Sequence, residues 1–369
     1  PTMSGVLRSL NYYPIGDEEA EEGIASLALG LGKYIVDGGQ TLRVCPYHPH
    51  QVLQTSETEM ALRDTQTQFY ALDMKHVGDD FKVDDGFNIL KLRVKDAVED
   101  QSLNYIASTF DPYDQVINDG VYETGRKLIT FAGVLQHDVV PLPELMQMSM
   151  KCGSEAMRRP VEIEFACNIH ADKTCDFYLL QIRPIVDAKE MLDEDVRDCL
   201  LRSHNSLGHG ISEDVTDVVY VKYDDHFSAM NNFYVADDIE RINRKFLADG
   251  KNYVLIGPGR WGSSDHYLGV PVKWPHISAA RVIVEVALKN YNIDPSQGTH
   301  FFQNLTSFGV GYFTVDTNTE EGGFVNKEIL DAMPAVEETQ YVRHVRFDRP
   351  LRILMDGKKQ EGAVLHPQE

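Results

Sequence analysis

The stretch Val161-Glu162-Ile163-Glu164-Phe165-Ala166, followed shortly by Leu180-Gln181-Ile182-Arg183-Pro184, constrains the fold more than any other part of this chain. Both stretches alternate apolar and polar side chains, and a strand sends successive side chains to opposite faces. Glu162 and Glu164 are therefore predicted to share one face, with Val161, Ile163 and Phe165 packed on the other. Gln181 and Arg183 repeat the arrangement, with Leu180, Ile182 and Pro184 on the apolar side. Two such neighbouring strands bring two carboxylates, an amide and a guanidinium into a small volume. That group suits Mg²⁺ held between acidic oxygens and phosphates, with the Arg neutralising phosphoryl charge. The same alternation also describes a half-exposed hairpin with solvated polar residues, and pattern alone leaves both readings open.

Residues 1 to 10 read as a strand, and Asp17 to Glu22 as an acidic exposed turn. From Gly23 the apolar positions Ile24, Leu27, Ala28 and Leu31 recur at helical spacing, which predicts a short helix ending at a Gly30 and Gly32 turn. Glycines there either expose amides to a phosphate or cap the helix. Strands are expected at Thr41 to Cys45, in Thr65 to Met74, and over Asn88 to Val94 after an Asp85-Gly86 turn, with a helix around Asp96 to Asn104. Gly125 to Gln136 reads as a buried strand with a basic entrance, where Arg126 and Lys127 either approach phosphates or form solvated surface. The Met-rich segment Pro143 to Met157 is predicted to be a helix beneath the Glu162 strand.

An acidic run, Asp187 to Asp198, marks the expected boundary between a domain of residues 1–190 and one of 191–369. The second opens with Gly208-His209-Gly210 and a strand at Asp217 to Lys222, then a helix at Ala236 to Leu247. A buried strand, Tyr253 to Ile256, leads into Gly257-Pro258-Gly259-Arg260-Trp261-Gly262-Ser263-Ser264-Asp265. A helix or strand is expected over Ile277 to Leu288. Strands interleaved with helices predict an α/β or α+β domain. The glycine-rich loop, with Arg260, Ser263 and Ser264, reads as an anion cradle or as a tight loop that Trp261 staples to the core. It is neither a Walker A sequence nor a dinucleotide fingerprint.

The formal net charge of −22 argues against duplex nucleic acid or an anionic membrane as a partner, because phosphate neutralisation needs excess Lys and Arg. An anionic ligand must then depend on local cations or a bound metal. No apolar run reaches membrane-spanning length. The five cysteines are scattered without CxxC spacing, which fits neither a disulfide framework nor a zinc site and suits a reducing cytoplasm. Cys167, His170 and Cys175 read as ordinary strand and loop residues.

On these motifs the run from Pro1 to about Ile185 resembles the later part of the ATP-binding domain of the phosphoenolpyruvate synthase and pyruvate phosphate dikinase family, a variant of the ATP-grasp fold. In that family a strand Asp/Glu-Ile-Glu-Trp/Phe is followed by Leu-Gln-x-Arg-Pro, and the acidic pair, the Gln and the Arg line the ATP and metal site. Glu162, Glu164, Gln181 and Arg183 match those positions. Met3-Ser4-Gly5-Val6 is similar to the family's Gly-Val strand, and Gly30-Leu31-Gly32-Lys33 to its Gly-Leu-Gly-Glu turn. Lys33 stands where the family usually has a Glu facing the nucleotide. The family's upstream Arg-Ser-Ser strand and phosphate-gripping Lys are not found here, so a fragment with an incomplete ATP site is expected.

The resemblance implies ATP and Mg²⁺ as cofactors, with Glu162 and Glu164 toward the metal, Gln181, Arg183 and Lys33 toward the nucleotide, and Arg260 as a further anion contact. It also implies pyruvate or phosphoenolpyruvate, and the rest of the parent polypeptide, as partners. The family's second domain swivels and carries a phosphoryl-accepting histidine. His266, before Leu268-Gly269-Val270-Pro271, and His300, after Gly298-Thr299, echo parts of that motif and are the candidate acceptors. The expected architecture is a partial ATP-grasp-like domain followed by a second α/β domain, a degenerate swivelling phosphohistidine-like unit. The rival readings are a catalytically idle regulatory or nucleotide-sensing module, and a metabolite-binding protein that uses the Arg260 loop.

Overall fold

The computed structural model describes residues 1–74, 86, 88–99, 101–185, 199–223, 227–291, 305, 309–319 and 322–367. The chain divides into two compact units, Pro1–Asn11 with Asp17–Val186, and Tyr12–Gly16 with Asp187–Glu369. The division falls just before the position expected from the acidic run. The excursion of Tyr12–Gly16 into the second unit has no signature in the hydropathy pattern. The whole is mixed α/β with several sheets. No helix among the described residues is long and apolar enough to cross a membrane.

The first unit contains strands β1 (Met3–Arg8), β2 (Ile24–Leu29), β3 (Leu42–Val44), β4 (Gln68–Leu72), β5 (Ile89–Arg93), β6 (Ala107–Asp111), β7 (Val116–Asp119), β8 (Arg126–Ile129), β9 (Val161–Ile169) and β10 (Cys175–Pro184). Its helices are α1 (Lys33–Val36), α2 (Thr58–Asp64), α3 (Ala132–Leu135) and α4 (Leu142–Met157). Five strands form an antiparallel sheet in the order β10-β9-β1-β2-β3, with smaller sheets β4-β5 and β7-β6-β8 beside it. Helix α4 has a Pro in its first turn, where a missing N–H costs nothing, and ends at Arg158 in the left-handed region. The helix packs beneath β9 as expected, but its buried stripe is Leu142, Met146, Met150 and Gly153, and of the methionines expected in the core Met148 and Met157 are exposed. Gly153 permits a close approach, since a Cβ there would sit 2.9 Å from Ile182 Cδ1 and 3.2 Å from Val161 Cγ2.

Three expectations are corrected. The helix read from Ile24 to Leu31 is strand β2, flanked by β1 and β3, with Ala25, Leu27 and Leu29 buried on alternate positions. Ala28 is buried as well, which is why the run also satisfied helical spacing. Gly30 (φ 85°) turns the chain against Tyr70, and α1 begins only after it. The helix expected around Asp96 to Asn104 is a 3₁₀ turn, Val94–Ala97, initiated by an Asp96 carboxylate that accepts from the Arg93 amide, with irregular turns after it. The strand expected over Gly125 to Gln136 stops at Ile129, because Phe131 adopts the left-handed region (φ 55°) and opens α3.

The second unit contains β11 (Cys199–Ser203), β12 (Asn205–Leu207), β13 (Gly210–Val221), β14 (Tyr253–Pro258), β15 (Arg260–Trp261), β16 (Gly269–Val270), β17 (Ala280–Ala287), β18 (Gly311–Asp316), β19 (Phe324–Val325), β20 (Ala335–Glu338), β21 (Val342–Asp356) and β22 (Glu361–Leu365), with helix α5 (Asn232–Asp249). Strands β18, β17, β14 and β13 run parallel, and antiparallel β21 and β22 continue the sheet from β13. Val219, Tyr253, Leu255 and Ile283 pack with α5 on one face, while Val218, Val254, Ile256 and Val282 pack with Phe313 and Leu330 on the other. Burial on both faces explains why Tyr253 to Ile256 is apolar without alternation, and why Ile277 to Leu288 resolves as a strand.

Gly5 lies opposite Phe165 across β1 and β9, and a Cβ there would fall 2.3 Å from the Phe165 ring. Gly5→Ala is expected to destabilise the first unit by about 1–3 kcal/mol through overpacking. Urea unfolding checks this, and an unchanged midpoint would show that the ring has room to move.

Candidate functional site

The β9–β10 hairpin joins the two alternating stretches. Register places Arg183 opposite Glu162 and Gln181 opposite Glu164, while β1 sets Arg8 opposite Glu162 and Val6 opposite Glu164. Residues paired across strands share a face, so Arg8, Glu162, Glu164, Gln181 and Arg183 lie together on the side of the sheet away from α4. The expected convergence of the four residues is therefore present as a neighbourhood on one face. A β-bulge between Leu179 and Gln181 creates it. Up to Leu179 the pairing follows one register; the extra residue, Leu180, shifts the phase, without which Gln181 and Arg183 would turn to the apolar side.

Glu162 is the centre of the group. Its Oε2 accepts from Arg8 Nε at 2.7 Å, and its Oε1 accepts from Arg183 Nε at 2.8 Å and also from the Arg183 terminal nitrogen. The carboxylate side chain is 11% exposed, whereas Arg8 and Arg183 are 51% and 59% exposed, so both guanidiniums keep donors turned to solvent. Burial pushes the Glu162 carboxyl up, but the hydrogen bonds and charges of Arg8 and Arg183 outweigh it and hold the group below its ordinary value. Glu164 is half-buried and Gln181 exposed; neither side chain makes a hydrogen bond or ion pair among the described residues, although the Glu164 charge acts on Arg183. Arg8 was missed in the sequence. Its only signal there is a polar residue ending a strand, and its partner lies 154 positions away.

The arrangement has definite chemical capacities. Two guanidiniums with free donors can grip an anion such as a phosphate in fork geometry. Glu164 is the carboxylate open to a divalent cation, and Glu162 joins it only when a guanidinium is released. Lys33 Nζ is engaged by Asp37 at 2.9 Å within α1, four residues on.

In the second unit the glycine-rich loop is held inward. The amides of Gly259, Arg260, Trp261 and Gly262 donate to Val286 O, Leu268 O, Glu285 Oε1 and Val270 O respectively. Trp261 is buried and its indole N–H donates to Val284 O. The stapled-loop reading thus describes these four amides, and none of them is left for a cradle. His266 is half-buried between the rings of Phe233 and Tyr267, and its imidazole makes no hydrogen bond among the described residues. His300 lies outside the described residues.

Glu22, Cys45 and His48 bring one ligand atom each within 4.8 Å of one another. Burial pushes the Cys45 thiol up to about 12, so it is a protonated thiol at neutral pH, and Glu22 is already bonded to His48 at 2.9 Å. No protein-family model matches the chain, and no characterised protein matches it in sequence.

The Glu162 carboxyl sits below its unfolded value of about 4.3, so its stabilisation is complete above that pH and is lost as pH falls through the folded value. Glu162→Gln is expected to cost about 1 kcal/mol at neutral pH, the exposed guanidiniums being screened, and to flatten the acid limb below about pH 4. Urea midpoints measured against pH check this. Parallel acid limbs for the two proteins would contradict it.

Proposed function

We propose that the chain belongs to an ATP-dependent phosphotransferase related to phosphoenolpyruvate synthase and pyruvate phosphate dikinase, and that the polar face of β1, β9 and β10 takes the phosphates of Mg-ATP. One observation carries the reading: the strand register gathers Arg8, Glu162, Glu164, Gln181 and Arg183 on a single face with both guanidiniums exposed. In this reading Arg183 and Arg8 donate to phosphoryl oxygens, and Gln181 orients the nucleotide. Glu164, with Glu162 once a guanidinium turned from it to phosphate, would hold Mg²⁺. Bound Mg²⁺ would neutralise phosphate charge that an acidic protein otherwise repels. His266 and His300 are the proposed phosphoryl acceptors, and pyruvate or phosphoenolpyruvate the carbon substrate, on the resemblance alone. The ATP-grasp-like character of the first unit and a swivelling role for the second belong to the same proposal. Five free cysteines support a reducing, cytoplasmic setting.

A second reading has an observation of its own. Glu162 is saturated by two guanidiniums and Lys33 is tied to Asp37, which favours a nucleotide-sensing module that binds without turnover.

Calorimetric titration of the chain with Mg-ATP, beside Arg183→Ala and Glu164→Gln, tests both. Binding is expected, with each substitution weakening it about tenfold or more. Transfer of γ-phosphoryl label to protein that is lost in His266→Ala or His300→Ala supports the phosphotransferase, and binding without label supports the sensing module. Absence of Mg-ATP binding overturns both.

A further inference from the structure

A cavity of about 630 Å³ opens in the first unit, and its lining includes none of Arg8, Glu162, Glu164, Gln181 or Arg183. Its walls hold four cations: Arg93 ends β5, Lys95 follows in the 3₁₀ turn, and Arg126 and Lys127 open β8. Glu99 and Glu123 also line it, so among the described residues four cations face two carboxylates, a surplus of two positive charges within a chain of net charge −22. Among the described residues none of the four cations has a carboxylate within ion-pair distance. Lys127 is half-buried and its ammonium donates instead to backbone carbonyls, Gly125 O at 3.1 Å and Tyr122 O. Cations gathered in excess of the carboxylates beside them repel one another, and an anion between them would turn that repulsion into attraction.

The remaining walls mix polar Gln66 and Thr67 with apolar Val94, Val98, Val121 and Tyr122. Val98 and the Tyr122 ring are 38% and 55% exposed and give the cavity an accessible apolar wall. The volume lies in the range of small-molecule sites and is too small for a polymer. We infer that this cavity is a binding site for a small phosphorylated molecule carrying a ring, its phosphates between Arg93 and Arg126 and its ring against Tyr122. The mononucleotides are the simplest members of that class. The site is separate from the proposed Mg-ATP face and stands or falls without it.

Calorimetry on the whole chain with two probes, AMP and inorganic pyrophosphate, tests the inference in low and moderate salt. Both probes are expected to bind. The paired substitution Arg93→Ala with Arg126→Ala should weaken both about tenfold or more, and added salt should weaken both. Tyr122→Ala should weaken AMP and leave pyrophosphate unchanged, because only AMP has a ring to stack. The binding component that the paired substitution removes should persist in Arg183→Ala, which separates this cavity from the sheet face. Arg93, Arg126 and Tyr122 are exposed, and an unchanged thermal midpoint confirms that variants at these positions fold. Absence of saturable binding, or affinity indifferent to the paired substitution, overturns the site. Loss of that same component in Arg183→Ala overturns it also, by placing the probe on the sheet. AMP affinity indifferent to Tyr122→Ala overturns the ring-bearing ligand.

Discussion

The carboxylate of Glu162, nearly buried and gripped by Arg8 on one side and Arg183 on the other, is the interaction on which the first unit's polar face depends. A carboxylate removed from water is costly unless paired, and here both oxygens are satisfied by strands on either side of β9. The pairing therefore ties β1, β9 and β10 into one register: a slip of one residue would strand the charge against the apolar side. It also presents two guanidiniums outward from a fixed base. An anchor that fixes the fold is thus the same group that aims the cations, and any ligand on this face competes with Glu162 for them.

The alternation in Val161 to Phe165 was legible because a two-residue period is the direct imprint of a sheet with one wet face. The helix α4 was legible for the parallel reason, its apolar stripe matching the helical period. Other features were not, and each for a physical cause. Ile24 to Leu31 fits both periods, and only the pairing of β2 with β1 and β3 decides between them. The bulge at Leu180 leaves two adjacent leucines as its only trace, yet it determines which face Arg183 occupies. Arg8 has no local signal, since its role depends on a partner far along the chain. The glycine-rich loop suggested open amides, but amide direction is set by the strands around it, and Trp261 with Glu285 draws the loop inward.

The second unit is organised by a different constraint. Its parallel strands are covered on both faces, so their sequences carry composition rather than period, and helix-or-strand ambiguity was unavoidable there. The buried carboxylates Glu285 and Asp217 are satisfied internally. Glu285 accepts from the Trp261 amide and the Tyr312 hydroxyl, and Asp217 from Arg346 and Thr216 while its other close partner is His344. These carboxylates hold the sheet and its loops together, which contrasts with the exposed guanidiniums of the first unit.

Arg8 and Arg183 each bond Glu162 through Nε, which slows exchange of those protons and makes them observable by side-chain ¹H–¹⁵N spectroscopy. Titration with Mg-ATP while following the arginine Nε–H signals tests the proposed face most directly. The expected result is a saturable shift of the Arg8 and Arg183 signals as phosphate takes over their free donors. Signals of both that stay fixed while Mg-ATP binds elsewhere on the chain would contradict a phosphate site on this sheet.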